Sequence, residues 1–139
     1  MDVIVLIGRI VFVLIFLVSG VGHLVQRDQM TRYAQSMGVP SPDILVPATG
    51  IQMLVGAVMV LFGIWADLGM ILLIGFLVPA AVLMHPFWKM PDPRDQAILQ
   101  AAFMKNISMA GAALALVGLM AFAGDDLGLM LTSPFFSLG

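Results

Sequence analysis

Few side chains in this sequence can do chemistry, and most of them fall at the ends of long apolar runs. His23 closes the first run and His85 closes the third, while Lys105 and Asn106 stand at the start of the last. Trp88 follows His85 in the stretch HPFWKMPDPRDQ, and Gln52 lies two turns into the second run. If the runs alternate in direction, both imidazoles, an amide, an indole and an ammonium converge at one end of a bundle. Three readings of that cluster compete. Trp, His and Lys commonly anchor spans at the headgroup level. The same groups also fit a small polar pocket in which His or Asn donates to a ligand carbonyl, as in a quinone head. Two neutral imidazoles on facing helices can also ligate haem, although both stand at helix ends rather than at depth.

A second polar feature lies at the opposite end. Arg9 sits two turns inside the first run, where an ionisable group needs a partner or a function. Asp67, Asp125 and Asp126 fall on the same side. The expectation is a structural ion pair between Arg9 and Asp67, the alternative being a site for an anionic ligand or a quinone carbonyl. The sequence holds no cysteine, which excludes thiol chemistry and disulfides. It shows no nucleophile triad, phosphate loop or metal-ligand spacing.

The elements that position these residues follow from composition. Of 139 residues, 61% are hydrophobic and only 10% are charged. A soluble domain needs more polar surface than this, and apolar runs of about 18 residues or more read as membrane spans. Runs over 3–25, 44–66, 68–85 and 101–123 predict four transmembrane helices in an all-α, up-down bundle forming one domain. The first run lacks a basic leader and a small-residue cleavage site, so it is expected to be retained as a span. In the first loop Met30, Tyr33, Ala34 and Met37 share one helical face. This predicts a short amphipathic helix over 28–37 at the interface. The apolar tail 127–139 is too short to span. Gly111, Ala115 and Gly118, at near four-residue spacing, are expected to pack within the bundle rather than form a dimer seam.

Arg27, Arg32, Lys89, Arg94 and Lys105 lie on one side of such a bundle and only Arg9 on the other. Basic loops favour the cytoplasm, so both termini are expected on the periplasmic side of a bacterial inner membrane. The net charge of −2 gives no footprint for nucleic acid.

The order of these features resembles the DoxX family of small four-helix membrane proteins. The residues that carry the resemblance begin with Arg9, Phe16-Leu17-Val18-Ser19-Gly20 and His23, followed by Met37-Gly38-Val39-Pro40. Gly50, Gly56, His85-Pro86-Phe87-Trp88 and the stretch from Phe103 to Leu116 complete them. Many members look to have lysine where His23 stands, which weakens any role that needs a fixed positive charge there. The resemblance implies association with quinone-linked oxidation of sulfur compounds, or with membrane complexes that handle oxidative stress.

The expected function is a non-catalytic membrane subunit of a larger redox or energy-transducing complex, with other membrane subunits and the bilayer as partners. The alternative is a quinone- or lipid-binding redox subunit that uses His23, His85, Trp88, Asn106 and Gln52. In either case the chain carries no cofactor of its own beyond a bound quinone or lipid.

Overall fold

Inside a bilayer no water is present to satisfy backbone amides, so each long apolar run closes its own hydrogen bonds as a helix. The structure, a computed structural model, describes residues 2–123 and 126–136. Its helices are α1 Asp2–Val25, α2 Arg27–Ser36, α3 Pro42–Phe62, α4 Ala66–Met84 and α5 Pro93–Ala123, with a 3₁₀ turn at Phe87–Lys89 before α5. All but α2 are long and apolar enough to cross a membrane. The all-α architecture with four spans and a short helix in the first loop is the one expected.

Three boundaries differ from the expected ones. The second run was expected to continue to residue 66, but α3 stops at Phe62 because Gly63 adopts the left-handed conformation, with φ of 68°. Its own N–H and that of Ile64 return to Val60 and Met59, the usual glycine helix stop. The third span consequently begins at Ala66, which puts Asp67 in the first turn of α4. The last helix starts at Pro93, where the Asp92 carboxylate accepts from Arg94 N at 2.7 Å and caps the turn. At 31 residues, α5 runs about 46 Å, longer than the roughly 30 Å hydrocarbon core. Its first two turns are exposed accordingly.

Helices pack in the order α1, α3, α4, α5, and α2 lies across α3 and the end of α1. Glycine pairs set the two closest crossings. A Cβ on Gly50 would lie 2.8 Å from His23 Cβ and 3.1 Å from the Gly20 carbonyl, so α1 and α3 meet backbone to backbone. Gly56 and Gly69 do the same between α3 and α4, each 3.0 Å from the other's carbonyl if given a Cβ. Small residues at such points let helices gain dispersion contact, the main attraction available between spans. Around them Val13, Phe16, Met53, Met70, Leu73 and Leu77 form the core.

Two prolines interrupt the helix ladders. Pro47 cannot donate to the Asp43 carbonyl, and Arg27 Nη2 on α2 fills the vacancy at 3.0 Å. Pro79 likewise leaves the Gly75 carbonyl without its helical N–H.

The glycines of α5 behave differently from expectation. That helix turns Ala110, Ala113, Met120 and Ala121 inward. Gly111, Ala115 and Gly118 face outward instead of packing within the bundle, and a Cβ on Gly111 or Gly118 would meet nothing within 4 Å.

At the Arg9 end the chain folds back over the bundle as a strap, residues 126–136. The expected Arg9–Asp67 ion pair is not formed; main-chain groups take most of the hydrogen bonds of both side chains, and Arg9 Nε is buried without a partner. Arg9, 4% exposed, donates to the Leu61 carbonyl at 2.5 Å, to the Leu129 carbonyl at 2.8 Å and to Met130 Sδ at 2.9 Å. Asp67, fully buried, accepts from Phe135 N at 2.9 Å and Phe136 N at 2.6 Å. Asp125, another expected partner of Arg9, lies outside the described residues, as do 137–139 of the tail. Asp126 makes no hydrogen bond with Arg9.

The same strap completes the end of α3. A helix leaves its last four carbonyls without intrahelical donors. Here Met59 and Val60 receive Ile64 N and Gly63 N, Leu61 receives Arg9, and Phe62 receives Leu131 N at 3.3 Å. Thr132 adds a bond each way, N to Gly63 O at 3.0 Å and Oγ1 from Trp65 N at 2.8 Å. The strap is thus held largely through its backbone, by part-buried hydrogen bonds to Arg9, Asp67 and the end of α3, and losing an acceptor there leaves a donor stranded.

Two substitutions test these contacts. Gly50→Ala should lower stability by about 1–3 kcal/mol through overpacking against His23, while Gly111→Ala should be neutral or slightly stabilising, as read by denaturant unfolding of the detergent-solubilised protein. Asp67→Asn removes one of two acceptors and should cost about 1–3 kcal/mol. Limited proteolysis should then cut within 126–136 faster than in the parent protein, and unchanged cleavage would contradict the strap.

Candidate functional site

At the opposite end of the bundle, α1 terminates just past the Gly20–Gly50 crossing. That crossing presses His23 against α3, where its Nδ1 lies 3.2 Å from the Val46 carbonyl and 3.1 Å from Thr49 Oγ1. Thr49 in turn donates to Leu45 O at 2.7 Å. Phe76 of α4 meets the imidazole edge-on with ring centroids 5.9 Å apart. The ring is therefore held on three sides by groups whose positions the helices fix.

His23 forms part of the wall of a cavity of about 600 Å³ that every helix helps to line. This is within the range of small-molecule sites, about 300–1,000 Å³. The wall is mainly apolar, from Phe16, Met53, Phe76, Leu77 and Met109, with a limited set of polar groups. His23, Gln52, His85 and Asn106 all line it, joined by Lys105, Ser19, Thr49 and, toward α2, Gln26 and Gln29. No carboxylate lines it among the described residues. Exposed Ile15, Pro79 and Leu83 also belong to the wall, so the cavity reaches the lipid-facing surface of the bundle.

Each polar group has a distinct state. Gln52 Nε2 donates to the Leu72 carbonyl at 2.8 Å, which leaves its Oε1 as a free acceptor. Asn106 is buried on α5 and lines the cavity. His85 caps α4, and its Nδ1 is buried without a partner. Unsatisfied polar groups at a buried wall are costly and call for an explanation. Here they surround a space large enough for a ligand.

One expected member stands elsewhere. Trp88 is not part of the wall; half-exposed in the 3₁₀ turn, it packs edge-on against Phe87 and Phe103 at 5.2 and 5.9 Å. The helix break at Pro86 swings it outward, and its placement fits an interfacial anchor. Arg9 and Asp67 belong to the strap at the far end. The cavity also includes Met30, Tyr33 and Ala34 of α2, so the apolar face of that helix roofs the bundle. Thr49 was missed, although a hydroxyl one turn before Gln52 in an apolar run is a visible signal. Tyr33 was legible only as part of an amphipathic face.

Among the described residues no cluster of His, Asp or Glu is arranged to hold a metal ion. The cavity can bind and orient an amphipathic molecule, with donors on α5 and acceptors on α1 and α3.

Comparison with known proteins agrees with this architecture. No solved structure matches the chain. The sequence is 30% identical over 115 residues to the inner membrane protein YphA of Escherichia coli (strain K12), a match that covers 82% of this chain and 81% of that protein. The family model for DoxX matches residues 4–86, which takes in the strap-binding Arg9, the Gly20–Gly50 crossing and both histidines. The chain belongs to the DoxX family.

Proposed function

We propose that this protein is an inner membrane subunit that binds a lipid-soluble quinone-type molecule in the cavity at the His23–His85 end and presents it to a partner that supplies the redox chemistry. The cavity carries the reading: it is apolar, open to lipid and ringed by His23, His85, Gln52 and Asn106. Lys105 and the Asn106 amide are donors suited to a ligand carbonyl, and the apolar opening suits a prenyl or alkyl tail. The ligand class rests also on the quinone-linked oxidations associated with DoxX-like proteins. We assign the basic end, with Arg27, Arg32, Lys89, Arg94 and Lys105, to the cytoplasm and both termini to the periplasm.

Purification in mild detergent followed by solvent extraction tests the ligand. Near-stoichiometric quinone is expected, and His85→Ala or Asn106→Leu should weaken binding about 5–30-fold, the effect of 1–2 kcal/mol from one lost hydrogen bond. Trp88→Ala, outside the cavity, should leave the content unchanged. Protein free of quinone would refute the reading.

The role as an accessory subunit of a larger complex has its own supporting observation. The outward face of α5 presents Ser108, Gly111, Ala115 and Gly118 with no internal partner, a surface that admits another helix closely. Native purification should then yield a stoichiometric companion that is lost in Gly111→Leu/Gly118→Leu. A lone 14.9 kDa species would count against the subunit role.

A further inference from the structure

We infer that the cavity selects a ligand by its hydroxyl groups, and so favours a hydroquinone or related tailed phenol over the corresponding quinone. This rests on the cavity being a ligand site and adds the chemical form that it prefers.

The neighbours of His23 fix its tautomer. Its Nδ1 contacts the Val46 carbonyl at 3.2 Å, and a carbonyl oxygen can only accept, so Nδ1 carries the hydrogen. The second neighbour, Thr49 Oγ1, is within donor reach of Leu45 O at 2.7 Å and of Val46 O at 3.0 Å, and with its hydrogen on either carbonyl it offers lone pairs to the imidazole. Both contacts therefore hold the same tautomer. Among the described residues no carboxylate lines the cavity, and its wall includes the cationic Lys105. Nothing on the wall compensates an imidazolium, so the ring is neutral. In a neutral ring with Nδ1–H, Nε2 is a hydrogen-bond acceptor.

Gln52 repeats this logic one turn further along α3 from Thr49. Its Nε2 is committed to Leu72 O at 2.8 Å, which fixes the amide orientation and leaves Oε1 as an acceptor. Pro79 adds a third acceptor, since the Gly75 carbonyl on the same wall lacks its helical donor. The α1–α3–α4 side of the cavity thus offers acceptors, while Lys105 and Asn106 of α5 offer donors.

A quinone oxygen only accepts. Bound here, it satisfies the α5 side and leaves His23 Nε2 and Gln52 Oε1 unpaired in an apolar space, which is costly. A phenolic hydroxyl donates and accepts, so one ring bearing two hydroxyls matches both sides. Phe16, Phe76 and Tyr33 supply flat apolar walls for an aromatic ring, and exposed Ile15 and Leu83 mark where a tail leaves toward lipid.

The test compares three probes on the full chain: decylhydroquinone, decylbenzoquinone and the dimethyl ether of decylhydroquinone, which keeps the shape but cannot donate. Calorimetric titration in detergent under argon should show the hydroquinone binding about tenfold more tightly than either of the others. His23→Phe, which keeps ring volume but removes the acceptor, and Gln52→Leu should each cut that preference to about threefold or less. Equal affinity for hydroquinone and quinone, or an ether that binds as well as the hydroquinone, would overturn the inference and leave the cavity reading intact. Binding of none of the three probes would overturn both. The wild-type ratio decides the question even if a variant fails to fold.

Discussion

The contact on which the rest of this structure depends is the backbone approach of α1 and α3 at Gly20 and Gly50. Without side chains there, the two helices close until Gly50 lies directly under His23. That closeness brings the imidazole within reach of Val46 O and Thr49, and so determines which nitrogen carries the proton. A larger residue at either position would move His23 away from α3 and free its ring to rotate. The Gly56–Gly69 crossing locks α4 to α3 in the same way. No glycine of α5 faces inward, and α5 packs chiefly on α4. The cavity remains where all five helices converge.

The two ends of the bundle solve the same problem differently. A buried charge or polar group must be hydrogen-bonded, or it opposes folding. At the Arg9 end the chain supplies its own partners. The guanidinium takes two carbonyls, the carboxylate takes two successive N–H groups, and the strap returns donors to the end of α3. Direct pairing of Arg9 with Asp67 would neutralise both charges but leave these carbonyls and amides stranded. Sharing the charges with the backbone satisfies more groups at once. At the His23 end the covering helix, α2, presents an apolar face, and His85 Nδ1 stays unpaired while Gln52 Oε1 stays free.

Much of this was legible in the sequence, and the exceptions share a cause. The four spans, the amphipathic helix and the convergence of His23, His85, Gln52 and Asn106 followed from hydropathy, helical period and alternating direction. These are local or topological signals. The misread features depended on which way a side chain or backbone turns. Gly63 stops α3 by adopting a left-handed φ, although an apolar run continues past it. Trp88 leaves the cavity because the chain kinks at Pro86. The α5 glycines face outward because its alanines fill the inward face. Arg9 and Asp67 each looked short of a counter-charge, since a sequence displays side-chain charges but not the main-chain groups that a folded strap brings to them.

This asymmetry bears on where function resides. A site that has closed on its own backbone can bind something else only after its strap is displaced, and displacement exposes two charges and several amides in an apolar setting. At the opposite end His85 Nδ1 and Gln52 Oε1 are already without partners, and the wall reaches the lipid-facing surface. Stabilisation left unused in the free protein becomes available to a ligand, which need only match acceptors fixed by α1 and α3 and donors fixed by α5. The strap ties the ends of α1, α3 and α4 together at one face, while at the other face the same helices diverge around a cavity of about 600 Å³.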